Sequence, residues 1–144
     1  MSEAANARQL VVFTLGEEQY ALPIQRVQEI IRYAQPRSVA SCEPSVRGVI
    51  SLRGRIVPVY DLACRLGIAS AASEQAKIVI VETGSETAGV VVDDVEEVLT
   101  VEDHQIEAVP GADTTLIDSI VKIGEQLVVL LEPATICGGA ALAA

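Results

Sequence analysis

The sequence predicts a mostly β protein built from two similar five-stranded barrels that pack together, with short helical turns. Val and Ile supply 33 of the 144 residues, with only one Phe and no Trp, and β-branched side chains favour strands. The strand pattern also repeats at a fixed offset, which is typical of duplicated units. We therefore expect one domain, 1–144, made of two units, 9–70 and 76–137, whose end strands can be exchanged.

The first unit opens with a β-hairpin, followed by one helical turn and a return to strand. Pro23 suits the first position of that helical turn, and an Ala-, Ser- and Pro-rich stretch then predicts a loop. The expected elements are a strand at 9–15, a turn at 16–18, a strand at 19–22, a helical turn within 23–29, a strand at 29–31 and a loop at 34–45.

A second hairpin, residues 47–60, is the most distinctive stretch of the chain. Two runs of β-branched residues flank Arg53-Gly54, and a Gly between such runs indicates a tight turn because it adopts positive φ without a steric clash. This turn places the charged side chain of Arg53 at the hairpin tip. Asp61 then fits the N-cap, and Gly67 the C′ position, of a short helix at 62–66.

The second unit follows a small polar stretch at 70–75, which predicts a linker. Shifting the chain by 68 positions lays 10–13 over 78–81 and matches Glu29 with Glu97. After a further shift of one to three residues, the run 56–60 matches 127–131. The strands 78–81 and 89–92 are continuously apolar, as expected where both faces are covered. The two barrels leave a groove between them, and the tail 138–144 is expected to be frayed.

The charge is unevenly distributed and disfavours a nucleic-acid partner. Residues 1–70 carry eight Arg and six acidic residues, and 71–144 carry two Lys and fourteen acidic residues, so +2 and −12 give the net −10. A phosphate track needs clustered basic residues. No apolar run approaches the roughly 18 residues of a membrane span, and no secretory signal is evident. The three dispersed cysteines predict reduced, partly buried thiols.

Residues that could carry catalysis are scarce. The single histidine, His104, lies in an acidic segment with no Ser or Cys nucleophile near it in sequence, although general-base mechanisms usually need such a pair. The acidic residues at 93–97 lack the spacing of a calcium loop. No phosphate-binding glycine loop is present. The sequence therefore predicts a non-enzymatic protein with no cofactor and no metal site.

Binding to other proteins is the function that these features favour. Half of the residues are hydrophobic, which predicts exposed apolar patches of the kind that partners cover. Arg53, held on a rigid hairpin, can pair with a carboxylate through two hydrogen bonds. Most surface arginines only aid solubility, and the position of Arg53 at the turn separates it from Arg26, Arg32, Arg47 and Arg55.

The chain strongly resembles the CheW family, the coupling adaptors of bacterial chemotaxis, from residue 9 to about 137. The most specific segment is Leu-Arg-Gly-x-Ile-Val-Pro-Val-x-Asp-Leu. The segments that carry the resemblance are Phe13-Thr14-Leu15-Gly16 with Tyr20, Ile24-x-x-Val27-Gln28-Glu29-Ile30, Arg47-Gly48-Val49-Ile50-x-Leu52-Arg53-Gly54-x-Ile56-Val57-Pro58-Val59-x-Asp61-Leu62, Ile78-Val79-Ile80-Val81 and Gly89-Val90-Val91-Val92-Asp93-x-Val95-x-x-Val98-Leu99.

The resemblance implies two SH3-like five-stranded barrels and a cytoplasmic scaffold, recruited to receptor arrays beneath the inner membrane and monomeric when isolated. It implies two partners, the tips of methyl-accepting chemotaxis receptors and the regulatory domain of the histidine kinase CheA. It implies no catalysis, no nucleic acid and no direct membrane insertion. The positions that match the receptor-binding set are Val27, Glu29, Ile30, Gly48, Arg53 and Gly54. The kinase-binding residues stay open, and Glu29 equally fits a supporting role beside Arg53.

Three alternatives are disfavoured by the sequence. A fragment of the kinase regulatory domain has the same fold, but this chain starts at Met1 and carries no kinase segments. An adaptor with a fused receiver would show a doubly wound pattern after residue 137. A small-molecule-binding barrel would need a lined pocket, which the scarcity of aromatic residues disfavours.

Overall fold

The computed structural model describes residues 7–38, 46–67, 76–83, 86–107 and 117–133. In these ranges the chain is almost entirely strand, with one short α-helix and two 3-10 turns. The strands are β1 (Ala7–Leu15), β2 (Glu18–Pro23), β3 (Val27–Arg32), β4 (Val46–Leu52), β5 (Arg55–Asp61), β6 (Lys77–Glu82), β7 (Thr87–Val92), β8 (Asp94–Glu102), β9 (Ile106–Glu107), β10 (Ile117–Ile123) and β11 (Gln126–Leu131). The helix is α1 (Leu62–Leu66), and the 3-10 turns are Ile24–Arg26 and Asp103–Gln105.

The strands form two SH3-like barrels, and each barrel takes strands from both sequence units. Barrel I has the strand order β8-β1-β2-β11-β10-β9, in which β9 is a sixth strand of only two residues. Barrel II has the order β3-β6-β7-β5-β4. The opening hairpin of each sequence unit therefore lies with the later strands of the other unit. The chain crosses between the barrels at the 3-10 turn after β2 and at Asp93.

The exchange is reciprocal, because the pairings follow the 68-residue repeat. Phe13 pairs with Val95 across β1 and β8. Val81 lies 68 positions after Phe13, and Val27 lies 68 positions before Val95. Val81 and Val27 pair across β6 and β3. Each of these two antiparallel pairs also carries a register shift beside this contact. The two barrels are therefore copies of one plan that have swapped equivalent strands.

The later hairpins follow the same plan at an offset of 71 residues. Ile50 pairs with Val57 in β4–β5, and Val121 pairs with Val128 in β10–β11. Both pairs are buried. The offset of 71 exceeds the first offset of 68 by three residues. The predicted further shift of one to three residues is therefore confirmed.

Three hydrophobic clusters explain why some strands are continuously apolar. One cluster fills barrel I, one fills barrel II, and the largest joins residues from β1 and β2 to residues from β5, β6 and β7. Successive residues of a strand point to opposite faces, so β6 buries alternate residues inside barrel II and in the joining cluster. The buried members of this central core are Phe13, Leu15, Tyr20, Leu22, Tyr60, Leu62, Ala63, Val79, Val81, Ala88, Val90, Val92 and Leu131.

The predicted helix at 62–66 is confirmed together with both of its ends. The Asp61 carboxylate accepts a hydrogen bond from the Cys64 backbone N–H at 3.2 Å. Gly67 ends the helix with φ of 74°. Cys64 is a free thiol and is exposed, so the expectation of partly buried cysteines is wrong at this position.

Several predictions concern residues outside the described ranges. These are the second part of the 34–45 loop, the linker at 70–75, the frayed tail at 138–144, and Cys42 and Cys137. Among the described helices, none combines the length and hydropathy that a bilayer crossing requires.

Candidate functional site

The hairpin tip between β4 and β5 presents Arg53 to solvent in a strained backbone conformation. Arg53 has φ of 53° and Gly54 has φ of 79°, which is the pair of positive φ values that a two-residue type I′ turn requires. Gly adopts this conformation readily, whereas a residue with a Cβ is uncommon there. Among the described residues, Arg53 is the one non-glycine residue with positive φ. The turn therefore holds Arg53 in a backbone conformation that is energetically unfavourable for arginine.

Glu29 of β3 holds the Arg53 guanidinium. The two terminal nitrogens of Arg53 donate hydrogen bonds of 2.7 Å and 3.1 Å to the two carboxylate oxygens of Glu29. The Arg53 side chain is 75% exposed and that of Glu29 is 24% exposed. Such a two-point pairing fixes the plane of the guanidinium. The contact supports the alternative in which Glu29 positions Arg53.

The equivalent turn of barrel I, between β10 and β11, has no arginine. Gly124 occupies the position of Arg53 at an offset of 71 residues and has φ of 63°. Glu97 is the counterpart of Glu29 at an offset of 68. Barrel I therefore turns with a single positive φ, at Gly124, because the following residue, Glu125, is not at positive φ, and it has no guanidinium there. This barrel thus closes its equivalent hairpin without an arginine at this position.

Gly48 shapes the backbone behind this hairpin. Arg37 and Val49 exchange two backbone hydrogen bonds of 2.8 Å and 2.9 Å, which lay the chain after β3 against β4. Gly48 has φ of 143°, and a Cβ built on it would lie 2.1 Å from the Arg37 carbonyl oxygen. Gly48 is also buried. Its role is therefore close backbone approach rather than surface contact.

The other sequence-predicted residues divide between surface and interior. Ile30 is 40% exposed and directly follows Glu29 in β3, so the two side chains point to opposite faces of the strand. Val27 is half-buried and packs against the central core. Gly54 is exposed at the turn. The structure thus brings Glu29, Arg53 and Gly54 together, and Ile30 points to the other face of β3.

A small recess of about 70 Å³ lies between β3 and the hairpin. Leu52 and Val57 provide its apolar lining, and Gln28 and Thr87 add polar groups. Glu29, Arg53 and Arg55 also line it. The recess is large enough for part of one side chain, so this surface can receive a protruding residue beside the guanidinium.

A second ion pair supports the base of the hairpin and was missed by the sequence interpretation. Arg47 donates two hydrogen bonds, of 3.1 Å and 2.9 Å, to one Asp61 oxygen and a third, of 3.3 Å, to the Tyr33 hydroxyl. Burial lowers the pKa of Arg47, but Asp61 and Tyr33 outweigh burial and the pKa lies above its ordinary value. Counting outward from the turn at 53–54 places Arg47 opposite Tyr60 and not Asp61, and the β4–β5 pairing has a register shift between Val46 and Gly48, so the hairpin register alone did not predict this ion pair.

Other features of the described chain give less support for a site. His104 is exposed, with its ring nitrogen 3.3 Å from Glu102. In the portion of the chain that the structure describes, no three His, Cys, Asp or Glu residues cluster so as to hold a metal ion. A cleft of about 500 Å³ lies between β1, the 3-10 turn after β2 and the end of β11. None of the sequence-predicted site residues lines that cleft.

Comparison with known proteins agrees with this fold. The model of the CheW-like domain family matches residues 9–140. The chain is 33% identical to the chemotaxis protein CheW of Klebsiella aerogenes, over 87% of this chain and 78% of that protein. It is 30% identical to chemotaxis protein CheW of Bacillus subtilis, over 91% and 87% of the two chains. The crystal structure of the scaffolding protein TtCheW from Thermoanaerobacter tengcongensis superposes with a TM-score of 0.82 at 34% identity, covering 86% of this chain and 88% of that one.

The family match, the relatives and the structural neighbour together identify this pair of barrels as a scaffold of the chemotaxis type. The chain belongs to the CheW family. Its role is that of a chemotaxis coupling adaptor.

Proposed function

We propose that this adaptor binds methyl-accepting chemoreceptor tips through Glu29, Ile30, Arg53 and Gly54, and the regulatory domain of the kinase CheA through another face. Val27 and Gly48 support this surface from within. The protein acts in the cytoplasm, beneath the inner membrane, and catalyses no reaction itself. The observation that carries the proposal is the exposed arginine that is held at positive φ, where the equivalent turn of the other barrel has glycine.

The chemistry of the hairpin surface fits the end of a helical hairpin that carries a carboxylate. The hydrogen bonds to Glu29 use two of the five N–H donors of the guanidinium, so an acidic group can bind to others. The apolar lining of the recess, Leu52 and Val57, offers contact to the apolar face of an amphipathic helix, as in helix-in-groove recognition, and Ile30 is a separate apolar contact on the other face of β3. Because Glu29 fixes the guanidinium before binding, little side-chain entropy is lost when the partner arrives.

Coupling then follows from geometry. An adaptor that holds a receptor tip and a kinase domain at once supplies orientation and effective concentration. The central core joins strands of both barrels, so the two binding faces move as parts of one packed body. A shift of the receptor tip is therefore passed on as a shift of the kinase domain, which is a coupling between two sites.

Replacing Arg53 by Asp is expected to weaken receptor binding at least about 30-fold, because a repulsive carboxylate replaces the guanidinium. The fold is expected to persist, since Asp tolerates the left-handed conformation better than most residues and an exposed ion pair contributes only about 0–1 kcal/mol. Co-sedimentation with a receptor cytoplasmic fragment measures binding, and a thermal melt measures the fold.

Two matched variants separate the guanidinium from net charge. Arg8→Asp makes the same charge change at an exposed position on barrel I, outside the proposed receptor surface, and is expected to keep most of the binding. Arg53→Gly removes the guanidinium while relieving the positive φ, so it should lose binding with a melt near that of the unaltered protein. Undiminished co-sedimentation of Arg53→Asp would show that the receptor site is misplaced.

A further inference from the structure

The recess beside the Arg53 hairpin is the open end of barrel II. Its apolar lining, Leu52 and Val57, belongs to the hydrophobic cluster that fills this barrel. Alternate residues of a strand share one face, so Arg55 lies on the same inward face of β5 as Val57 and Val59, which are both buried. Arg55 is the first residue of β5 and lines the recess. The inward-facing row of β5 therefore ends in a cation at the mouth of the barrel.

The positive charge at this mouth is only partly compensated. Glu29 pairs with Arg53 through two hydrogen bonds. In the part of the chain that the structure describes, no hydrogen bond or ion pair engages the side chain of Arg55. The Glu82 carboxylate accepts a hydrogen bond of 3.3 Å from Gln28 at the edge of the recess, but it does not line the recess itself. Two arginines and one carboxylate thus line the recess, which leaves one net positive charge.

The equivalent mouth of barrel I has a similar apolar lining without either arginine. Ile123 and Val128 lie 71 residues after the two apolar residues of the recess, and both belong to the cluster of barrel I. Gln126, the counterpart of Arg55 at the same offset, is also the first residue of its strand and is exposed. Glutamine at this place is therefore compatible with the shared plan of the two barrels.

We propose that the recess receives one acidic side chain of the receptor tip and that Arg55 binds its carboxylate. The methylene groups of that side chain lie over Leu52 and Val57, and Thr87 adds a polar group to the lining. The planar guanidinium of Arg55 presents its N–H donors in a fork that matches a carboxylate. The inference rests on the proposed function, because it gives that receptor surface a second arginine and names the class of side chain that it selects.

The same chemistry sets the order of preference among entering side chains. An amide of the same length keeps the apolar contacts but loses the charge-assisted hydrogen bonds, which are roughly twice as strong as neutral ones. A lysine would meet like charge from Arg53 and Arg55. The recess therefore prefers a carboxylate over an amide and rejects an ammonium group.

Replacing Arg55 by Gln tests the contact with the side chain that barrel I carries at this place. We expect binding of a receptor cytoplasmic fragment to weaken about tenfold, because a charge-assisted hydrogen bond is lost. The thermal melt should not change, since the Arg55 side chain has no partner in the described chain. Arg8→Gln removes the same charge on barrel I, away from the recess, and should bind within about twofold of the unaltered chain.

Pairing the adaptor variant with receptor variants tests the carboxylate. Each acidic residue of the receptor tip is changed to Gln, one at a time. One of these changes should weaken binding to the unaltered adaptor about tenfold and cause no further loss with Arg55→Gln, because both changes remove the same interaction. Changing that acidic residue to Lys should restore binding to Arg55→Glu. If the losses add for every receptor variant, no single carboxylate binds Arg55 and the inference is wrong.

Failure of this inference and failure of the proposed function give different results. If Arg55→Gln binds the receptor fragment as the unaltered chain does, while Arg53→Asp does not, the recess contact is wrong and the receptor surface stands. If neither change affects binding, the receptor surface itself is misplaced.

Discussion

Replacing Gly48 by Ala is expected to lower the free energy of unfolding by more than about 3 kcal/mol, since strained backbone and overpacking each cost roughly 1–3 kcal/mol. The new Cβ would lie 2.1 Å from the Arg37 carbonyl oxygen and 2.7 Å from its carbon. Both are backbone atoms, and the paired hydrogen bonds between Arg37 and Val49 hold them in place. The positive φ of Gly48 adds to the strain. Urea unfolding measures the loss.

Gly54→Ala is the matched control for this change. Gly54 also has positive φ, but a Cβ there would meet no atom within 4 Å. Its cost is therefore the conformational penalty alone, about 1–2 kcal/mol. Equal losses for the two variants would show that the close approach of Arg37 to Gly48 contributes nothing. Loss of receptor binding in Gly48→Ala should accordingly be interpreted as loss of fold.

Dividing the chain within the predicted linker at 70–75 is expected to leave two fragments that do not fold separately. The fragment 1–70 lacks β8, the partner of β1, and β6, the partner of β3. The central core also draws residues from both fragments. Mixing the fragments should restore β structure and a cooperative melt, because all exchanged strands are then present. Circular dichroism of each fragment and of the mixture measures this.

A control for the fragment experiment uses the central core. Phe13 is fully buried there, so a fragment 1–70 carrying Phe13→Asp should fail to restore structure when mixed with 71–144. If either fragment alone gives a cooperative melt, the exchange of strands between the two units is not what stabilises the fold.

Local patterns predicted most elements of this fold because they depend on neighbouring residues. The hairpin at 47–60, the cap at Asp61 and the repeat offset are all set within short stretches. Strand pairing is different, because β3 and β8 carry similar apolar patterns and either can lie against β1. Sequence similarity between units makes their strands interchangeable, so the pattern alone does not choose a partner. The choice depends on contacts between residues far apart in the sequence, such as those of the central core.

The candidate site was also predictable from the sequence only in part. Turn chemistry alone predicted Arg53 at the hairpin tip, and the family pattern pointed to Glu29. The positive φ of Arg53 could not be predicted, because arginine rarely adopts it. The Arg47–Asp61–Tyr33 network was missed because Asp61 was assigned only to the helix cap and not considered as an ion-pair partner of Arg47. The close approach of Arg37 to Gly48 depends on where the chain returns after β3, and no local pattern specifies that.

The most direct test of the account is a pull-down that offers both proposed partners at once. The kinase regulatory domain is immobilised, the adaptor is added, and recovery of a receptor cytoplasmic fragment is measured. We expect the unaltered adaptor to recover receptor fragment, and Arg53→Asp to bind the kinase domain normally but recover no receptor fragment above the no-adaptor background. Equal recovery of receptor fragment with Arg53→Asp, or recovery that does not depend on the adaptor, would contradict the account.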